Sequence, residues 1–235
     1  MSGRVGTRAT PVPRDDGPVI HPAIPDPRAF DAVLFDVDGT LVDSEPIWFA
    51  VLRSVVPEFG GDLPEDAHAA LHGTDRPAAT RILRERFGLV GDAAAFWARV
   101  VERLIVDLAG VRPLPNAVAW VEAVVEAGRA RAVVSNSPRA MVDASLAPHP
   151  WARHLEVRIA IEDVARGKPH PDGYLLAAER LGVAAARCLV VEDSLAGAQA
   201  AIAAGATCLF VTHGVVDPES AGAITPHVVV ELPEL

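Results

Sequence analysis

Acidic residues follow two short apolar runs of this 235-residue chain, at the points where strands are predicted to end. Asp36 and Asp38 come after the first run, and Glu192 and Asp193 come after a later one. Carboxylates at alternate positions of an extended chain lie on the same side of it. They repel each other unless a cation or a proton separates them. Acidic groups gathered in this way suit Mg²⁺, a hard cation that prefers oxygen ligands and phosphate.

Groups suited to phosphate follow other predicted strands. Ser135 and Asn136 offer a hydroxyl and an amide to phosphate oxygens. Gly39 lets the backbone turn closely around a ligand and expose amides to an anion, although Asp–Gly pairs are also common in ordinary turns. Lys168 is the single lysine among 21 basic residues. A lone lysine among arginines indicates a place where a compact ammonium is needed.

The elements that carry these residues alternate between strand and helix. Buried strands are predicted from apolar runs at 32–35, 130–134, 157–161, 188–191, 207–211 and 228–230. Helices are predicted between them from apolar spacing and terminal glycines at 117–127, 174–181 and 195–204. This alternation predicts an α/β fold, a doubly wound parallel sheet covered on both faces. The carboxyl ends of parallel strands share one edge, so the polar residues above should converge there.

The first connection is far longer than the dozen or so residues that a crossover needs. The surplus is predicted to form four helices, with no strand signal among them, at 45–56, 64–71, 76–87 and 92–108. We therefore predict a helical domain, 44–112, inserted after the first strand, and call it the cap. The α/β core is predicted to comprise 30–43 and 113–235. The proline-rich residues 1–29 are predicted to be an extended or disordered tail.

Composition narrows the class of protein. Half of the residues are apolar and 22% are charged, so a sizeable core can form and wholesale disorder is excluded. The formal charge of −10 and the lack of a basic run argue against a general nucleic-acid binder. No apolar stretch approaches the ~20 residues of a membrane span, and no signal-peptide core is evident. We expect a soluble, cytoplasmic monomer or weak dimer with no nucleic-acid or membrane partner.

Two cysteines, Cys188 and Cys208, are too few for a disulfide framework. Both fall in predicted buried strands, so we interpret them as core residues.

Taken in order, these motifs resemble the haloacid dehalogenase superfamily. The match is to its helical-cap branch of phosphatases and β-phosphoglucomutase-like proteins, and it covers residues 31 to about 215. Four motifs stand in the order typical of that family: Asp36-x-Asp38-Gly39-Thr40, Ser135, Lys168 and Glu192-Asp193-Ser194. The segments 41–46 and 167–172 also match the extended motifs of this branch.

The resemblance implies two catalytic aspartates and a Mg²⁺ site. Asp36 would be the nucleophile and would form an aspartyl-phosphate. Asp38 would protonate the leaving oxygen and then activate water. The ligands of Mg²⁺ would be the Asp36 carboxylate, the Asp38 carbonyl and the Asp193 carboxylate. Glu192 would be a further ligand or would hold a metal-bound water.

The remaining motif residues would bind the phosphoryl group. Ser135, the amide of Asn136 and the turn at Gly39 would hold its oxygens. Lys168 would pair with both Asp36 and the phosphoryl group, in keeping with phosphoryl transfer as positioning and charge neutralisation.

The cap is expected to determine the substrate. In similar proteins the loop at His72 faces the site, and an arginine at the place of Arg76 can hold a distal phosphate or hydroxyl. Arg76 can equally be a solvated first-turn arginine, and His72 an exposed loop residue. Trp48 stands near the place of a histidine that supports a sugar in similar proteins, so it indicates either a different substrate or packing. Packing is the interpretation for Trp97 and Trp120.

The function predicted from these observations is Mg²⁺-dependent hydrolysis of a small phosphorylated metabolite, such as a sugar phosphate. A phosphomutase of the β-phosphoglucomutase kind is the first alternative. A non-enzymatic binding protein on the same fold is the second, although every motif residue is intact. A dehalogenase is disfavoured because Asp38 supplies an acid that carbon–halogen cleavage does not need.

Overall fold

Six parallel strands form one sheet in the computed structural model, which describes residues 24–71, 74 and 76–235. They are β1 (Ala32–Phe35), β2 (Ala130–Val134), β3 (Val157–Ile159), β4 (Cys188–Glu192), β5 (Thr207–Val211) and β6 (His227–Val229). Their spatial order is β3-β2-β1-β4-β5-β6. The predicted doubly wound parallel sheet is confirmed. The order reverses between β1 and β4, where such sheets bind ligands at their carboxyl edge.

Helices connect and cover the strands. They are α1 (Glu45–Val55), α2 (His68–Leu71), α3 (Arg76–Phe87), α4 (Ala93–Asp107), α5 (Ala117–Glu126), α6 (Arg139–Leu146), α7 (Asp172–Leu181), α8 (Leu195–Ala203) and α9 (Pro218–Gly222). Helices α1–α4 match the four helices predicted between the first strand and α5, with α2 shortened because 65–67 form a 3₁₀ turn. The division into a cap, 44–112, and a core stays a prediction. Residues 1–23 of the predicted tail lie outside the described residues.

Alternate residues of the strands pack on opposite faces of the sheet. Val33 and Phe35 of β1 join the apolar cluster that includes α5, α6 and the helices α1, α3 and α4. Ala32 and Leu34 join the other cluster, with α7 and α8. All four residues of β1 have no exposed surface. The first strand is therefore covered on both faces in the centre of the fold. This burial fixes the position of the residues that follow it at the carboxyl edge of the sheet.

The register of β1 with its neighbours aligns the strand ends. Phe35 pairs with Val133 of β2 and with Val191 of β4. The backbone N–H of Asp36 continues this ladder and donates to Val191 O at 3.0 Å. Asp36 is therefore level with Glu192, the last residue of β4. Cys188 and Cys208 are free and buried in β4 and β5, as predicted.

Candidate active site

An acidic cluster lies where β1 and β4 end. Asp36, Glu192 and Asp193 each offer a carboxylate oxygen, and these oxygens lie within 4.8 Å of one another. Asp36 and Glu192 are buried, and Asp193 is partly buried. The convergence predicted from the two strand ends is therefore present, and it follows from the parallel pairing of β1 with β4.

Lys168 reaches into this cluster from the loop before α7. Its Nζ donates to Asp36 Oδ1 at 2.5 Å and to Val134 O at 2.9 Å, and it also donates to Glu192 Oε1. The side chain is only 7% exposed. The three protons of the ammonium thus have three acceptors in a confined space. The single lysine of the chain lies beside the predicted nucleophile.

Glu192 is the most heavily hydrogen-bonded carboxylate of the cluster. Its Oε1 accepts from Lys168 and from the Tyr174 hydroxyl at 2.7 Å. Its Oε2 accepts from the backbone N–H groups of Asp193 and Ser194, and from the Ser194 hydroxyl. Glu192 therefore holds the ammonium of Lys168 in place. A role of Glu192 as a metal ligand stays a prediction.

Tyr174 was not predicted as part of the site, although it is the only tyrosine of the chain. Because tyrosine occurs only once in the sequence, as lysine does, its single occurrence was the feature that could have marked Tyr174 as a candidate site residue. The residue is 1% exposed, so its hydroxyl needs a buried acceptor, and Glu192 provides one.

Burial and like charge raise the pKa values of two carboxyl groups, those of Asp36 and Asp193. Burial raises the pKa of Asp36 well above its ordinary value, opposed by Lys168 and reinforced by the neighbouring carboxylates. Burial, followed by repulsion from Glu192, raises the pKa of Asp193 to about 8. Burial alone would lower the pKa of Lys168, but Asp36 and Glu192 outweigh it and the pKa is raised. The ammonium of Lys168 thus stays charged. Its single positive charge does not balance the carboxylates of Asp36, Glu192 and Asp193.

This donor set fits Mg²⁺. Asp36 and Asp193 supply carboxylate oxygens at close range, and their raised pKa values indicate that a further cation would be favourable there. Glu192 is less free, because both of its oxygens already accept hydrogen bonds. The carboxylate of Asp38 is not part of this cluster, and metal binding by its backbone carbonyl stays a prediction.

Asp38 is held by a neighbouring strand end. Its Oδ2 accepts from the Ser137 hydroxyl at 2.8 Å, a contact that the sequence analysis did not single out. The chain turns immediately afterwards at Gly39, whose φ is +78°. A Cβ at Gly39 would lie 2.0 Å from Asp193 Oδ2. Glycine is thus required here both by conformation and by the approach of Asp193.

The predicted phosphate-binding residues have the following contacts. The N–H of Gly39 donates to Val42 O at 2.9 Å, so this amide is engaged within its own loop. Ser135 Oγ accepts from the N–H of Ser137 at 3.0 Å. The side chain of Asn136 joins the Lys168 loop through two bonds: Nδ2 donates to Lys168 O, and Oδ1 accepts from Lys168 N. Asn136 therefore positions the lysine loop, and the phosphate roles of all three residues stay predictions.

Two of the predicted substrate residues of the cap, Arg76 and Trp48, contact the ring of Trp97. The guanidinium of Arg76 lies over the Trp97 ring, 5.6 Å from its centroid. Trp48 is half-buried and stacks with Trp97 at 6.4 Å between centroids. Trp97 and Trp120 are buried, as predicted. Arg76 and Trp48 thus belong to one aromatic stack on the cap, and their substrate roles stay predictions. His72 lies outside the described residues.

A cleft between the cap helices and the core has residues that the sequence analysis did not select for substrate binding. A cavity of about 300 Å³ is lined by Glu45, His68, Ala69 and Val215. His68 Nε2 lies 3.0 Å from Glu45 Oε1, so the two side chains form a polar pair. Val215 belongs to the loop after β5, which also contacts the Gly39 turn through His213. A larger cavity of about 520 Å³ has none of the motif residues in its lining, which consists of Pro64, Asp66, Ala67, Ala69, Ala70, Arg86 and Phe87.

Known proteins are similar to this chain in sequence and in fold. A family model described as haloacid dehalogenase-like hydrolase matches residues 30–205. The chain belongs to the haloacid dehalogenase-like hydrolase family. The matched range includes the acidic cluster and Lys168, and the catalytic roles of these residues stay predictions.

Two curated relatives are phosphatases of Escherichia coli (strain K12). Hexitol phosphatase A is 38% identical over 182 residues, which is 73% of this chain and 78% of that protein. Fructose-1-phosphate phosphatase YqaB is 33% identical over 180 residues, covering 75% of this chain and 93% of that protein. Among solved structures, a Thermotoga maritima protein provisionally named a beta-phosphoglucomutase is similar. It has a TM-score of 0.71 and 29% identity, over 85% of this chain and 94% of that one.

The chain is accordingly an enzyme of the phosphatase type within this family. Within the part of the chain that the structure describes, none of the helices combines the length and apolar character needed to cross a membrane.

Proposed function

We propose that this protein is a Mg²⁺-dependent phosphatase that hydrolyses a small phosphorylated metabolite of the sugar or sugar-alcohol class. The observation that carries the proposal is the contact of Lys168 Nζ with Asp36 Oδ1 at 2.5 Å beside Asp193. A nucleophilic carboxylate, a confined ammonium and a second carboxylate suited to a metal are the groups that phosphoryl transfer needs, because the reaction depends on positioning and charge neutralisation.

The reaction proceeds in two steps through Asp36. A carboxylate oxygen of Asp36 attacks phosphorus, the bond to the leaving oxygen breaks, and protonated Asp38 gives its proton to that oxygen. Water then attacks the aspartyl-phosphate while Asp38 accepts a proton, which releases inorganic phosphate and restores Asp36. Lys168 neutralises charge on Asp36 and the phosphoryl group. Mg²⁺, when held by Asp36, Asp193 and the Asp38 carbonyl, would supply further charge neutralisation.

The cleft beside Val215 supports a hydroxylated, singly phosphorylated substrate. Glu45 accepts hydrogen bonds and His68 can donate them, so the pair suits neutral hydroxyl groups. A second phosphate near Glu45 would meet a like charge. The names of two relatives, a hexitol phosphatase and a fructose-1-phosphate phosphatase, point to the same substrate class.

A screen of phosphorylated metabolites with Mg²⁺, measured as free inorganic phosphate, tests this proposal. We expect release from sugar or sugar-alcohol monophosphates and little from bisphosphates. Interconversion of phosphate isomers without phosphate release would instead identify a phosphomutase. No reaction with any ester, including an activated one such as 4-nitrophenyl phosphate, would favour a binding protein.

Asp36→Asn should abolish turnover without unfolding the protein, because an amide does not attack phosphorus effectively. Asp31→Asn is the matched control. It makes the same change at the surface, where Asp31 pairs with Arg187, and it should leave activity unchanged. Near-normal activity of Asp36→Asn would remove Asp36 as the nucleophile.

A further inference from the structure

His213 adopts a backbone conformation that favours glycine. Its φ is +49°, in the left-handed region where the Cβ of an L residue approaches the following carbonyl. The next residue, Gly214, has a φ of +71° and accepts this conformation without that penalty. A side chain retained at such a position is a candidate for a specific task.

The backbone around His213 is fixed by the neighbouring strand. The N–H of Thr212 donates to Val229 O at 2.8 Å, and the N–H of His213 donates to Val230 O at 2.8 Å. The loop after β5 is thus tied to β6 and the residue after it. The backbone that carries the imidazole is therefore held in place by hydrogen bonds on both residues.

The imidazole reaches the loop that follows β1. His213 Nε2 lies 2.7 Å from the Gly39 carbonyl oxygen. Because a carbonyl oxygen only accepts hydrogen bonds, Nε2 must carry a proton and donate it. Both the Nε2–H tautomer and the imidazolium satisfy this requirement.

The Gly39–Thr40 peptide, which His213 contacts, connects two groups of the site. Asp38 immediately precedes it. On its other side, the Thr40 hydroxyl donates to Asp193 Oδ1 at 3.3 Å. The other bond of the Gly39 backbone, from its N–H to Val42 O, lies within the same loop. The bond from His213 therefore ties this loop to a different part of the sheet edge.

We propose that His213 is a positioning residue that holds the Gly39–Thr40 peptide and so keeps Asp38 where it protonates the leaving oxygen. This inference rests on the proposed phosphatase function. His213 acts through the Gly39 carbonyl, and its own contact is with the protein backbone.

Three substitutions separate the hydrogen bond from the backbone conformation. His213→Gly relaxes the backbone and removes the donor. His213→Asn tolerates the left-handed region but is too short to reach Gly39. His213→Gln places an N–H at a distance along the side chain similar to that of Nε2. We expect the first two variants to lose the positioning effect and the third to retain most of it.

The assay compares kcat/KM for two esters, because kcat/KM reports the step in which the leaving group departs. One ester is the alkyl phosphate that the wild type hydrolyses fastest in the screen above, and the other is 4-nitrophenyl phosphate. The glycine and asparagine variants should lose about tenfold on the alkyl ester, since displacement of a catalytic group by about 1 Å can cost on the order of 100-fold. They should lose less than about threefold on the nitrophenyl ester, whose leaving group needs little protonation.

Asn116→Gly is the matched control. Asn116 also has a positive φ, +60°, and its side chain also donates to a distant carbonyl, Leu232 O at 2.7 Å. This variant should keep kcat/KM on both esters within about twofold of wild type. Thermal unfolding of each variant verifies that the protein is folded at the assay temperature.

Several results would overturn the inference. Alkyl-ester activity of His213→Gly and His213→Asn within about twofold of wild type would do so. Equal losses on the two esters, or a loss in His213→Gln as large as in His213→Gly, would mean that the residue has a general structural role instead. A wild type that hydrolyses neither ester would refute the proposed function and this inference together, whereas an active wild type with unaffected variants refutes this inference alone.

Discussion

Replacing Lys168 by arginine keeps the positive charge and changes the size and shape of the cation. The ammonium donates from one nitrogen to Asp36 Oδ1 at 2.5 Å, to Val134 O at 2.9 Å and to Glu192 Oε1. A guanidinium distributes its donors over a plane and does not direct three bonds from one atom. Because the lysine side chain is 7% exposed, the larger group has little space to move outward.

The expected loss in kcat/KM of Lys168→Arg follows from the confinement of this side chain. Overpacking a buried position costs about 1–3 kcal/mol, and the strain would be relieved by moving Asp36 or the lysine loop. A displacement of about 1 Å at the nucleophile can cost on the order of 100-fold in rate. We therefore expect Lys168→Arg to lose at least about tenfold in kcat/KM, which corresponds to roughly 1.4 kcal/mol of barrier.

The assay measures kcat/KM for the best substrate of the screen in wild type, Lys168→Arg and Lys168→Ala. Arg166→Lys is a control two positions away. It makes the reverse exchange of cations in an exposed ion pair with Asp172, and it should change kcat/KM by less than about twofold. If Lys168→Arg stays within about twofold of wild type while Lys168→Ala is inactive, only the charge matters and the argument from shape is wrong.

Three further changes test other parts of the structure. Asp193→Ala should raise the Mg²⁺ concentration needed for half-maximal activity, and an unchanged Mg²⁺ titration would assign the metal to other ligands. Gly197→Ala should lower the melting temperature and the activity, because its Cβ would lie 1.8 Å from Glu192 Oε1. Gly222→Ala is the control, because its Cβ meets nothing within 4 Å, and it should change neither the melting temperature nor the activity. Burial lowers the pKa of His149, so the unfolded state binds more protons and the free energy of unfolding should decrease as the pH falls through about 6.5. Urea unfolding at pH 7.5 and 5.5 should show a smaller decrease for His149→Phe than for wild type, and an equal decrease would contradict this.

Local sequence patterns were sufficient for most of the fold. Five of the six predicted strands agree with the structure to within one residue at either end, and the strand predicted at 157–161 is two residues shorter. Helices with a clear apolar stripe, such as α1 and α4, begin and end within one residue of their predicted limits. Two short helices, α6 and α9, were not predicted. They have eight and five residues, and apolar spacing over so short a stretch is too brief to distinguish from a loop.

The sequence by itself determined which polar groups lie at the strand ends. Asp36, Asp38 and Asp193 are adjacent to strongly apolar runs, and parallel strands necessarily bring such residues to one edge. The single lysine indicated a special position before any contact was known. The convergence of these residues at one edge could be predicted because it depends on local patterns, and on a sheet topology that those patterns imply.

Only the tertiary structure decided which partners these residues have. Glu192 is an anchor for Lys168 because Tyr174 and the turn after β4 supply its remaining donors. The contact of His213 with Gly39, and the pairing of Glu45 with His68 in the cleft, join segments whose approach no local pattern encodes. The physical reason is that such contacts depend on the relative positions of whole elements, which arise from packing of the core on both faces of the sheet.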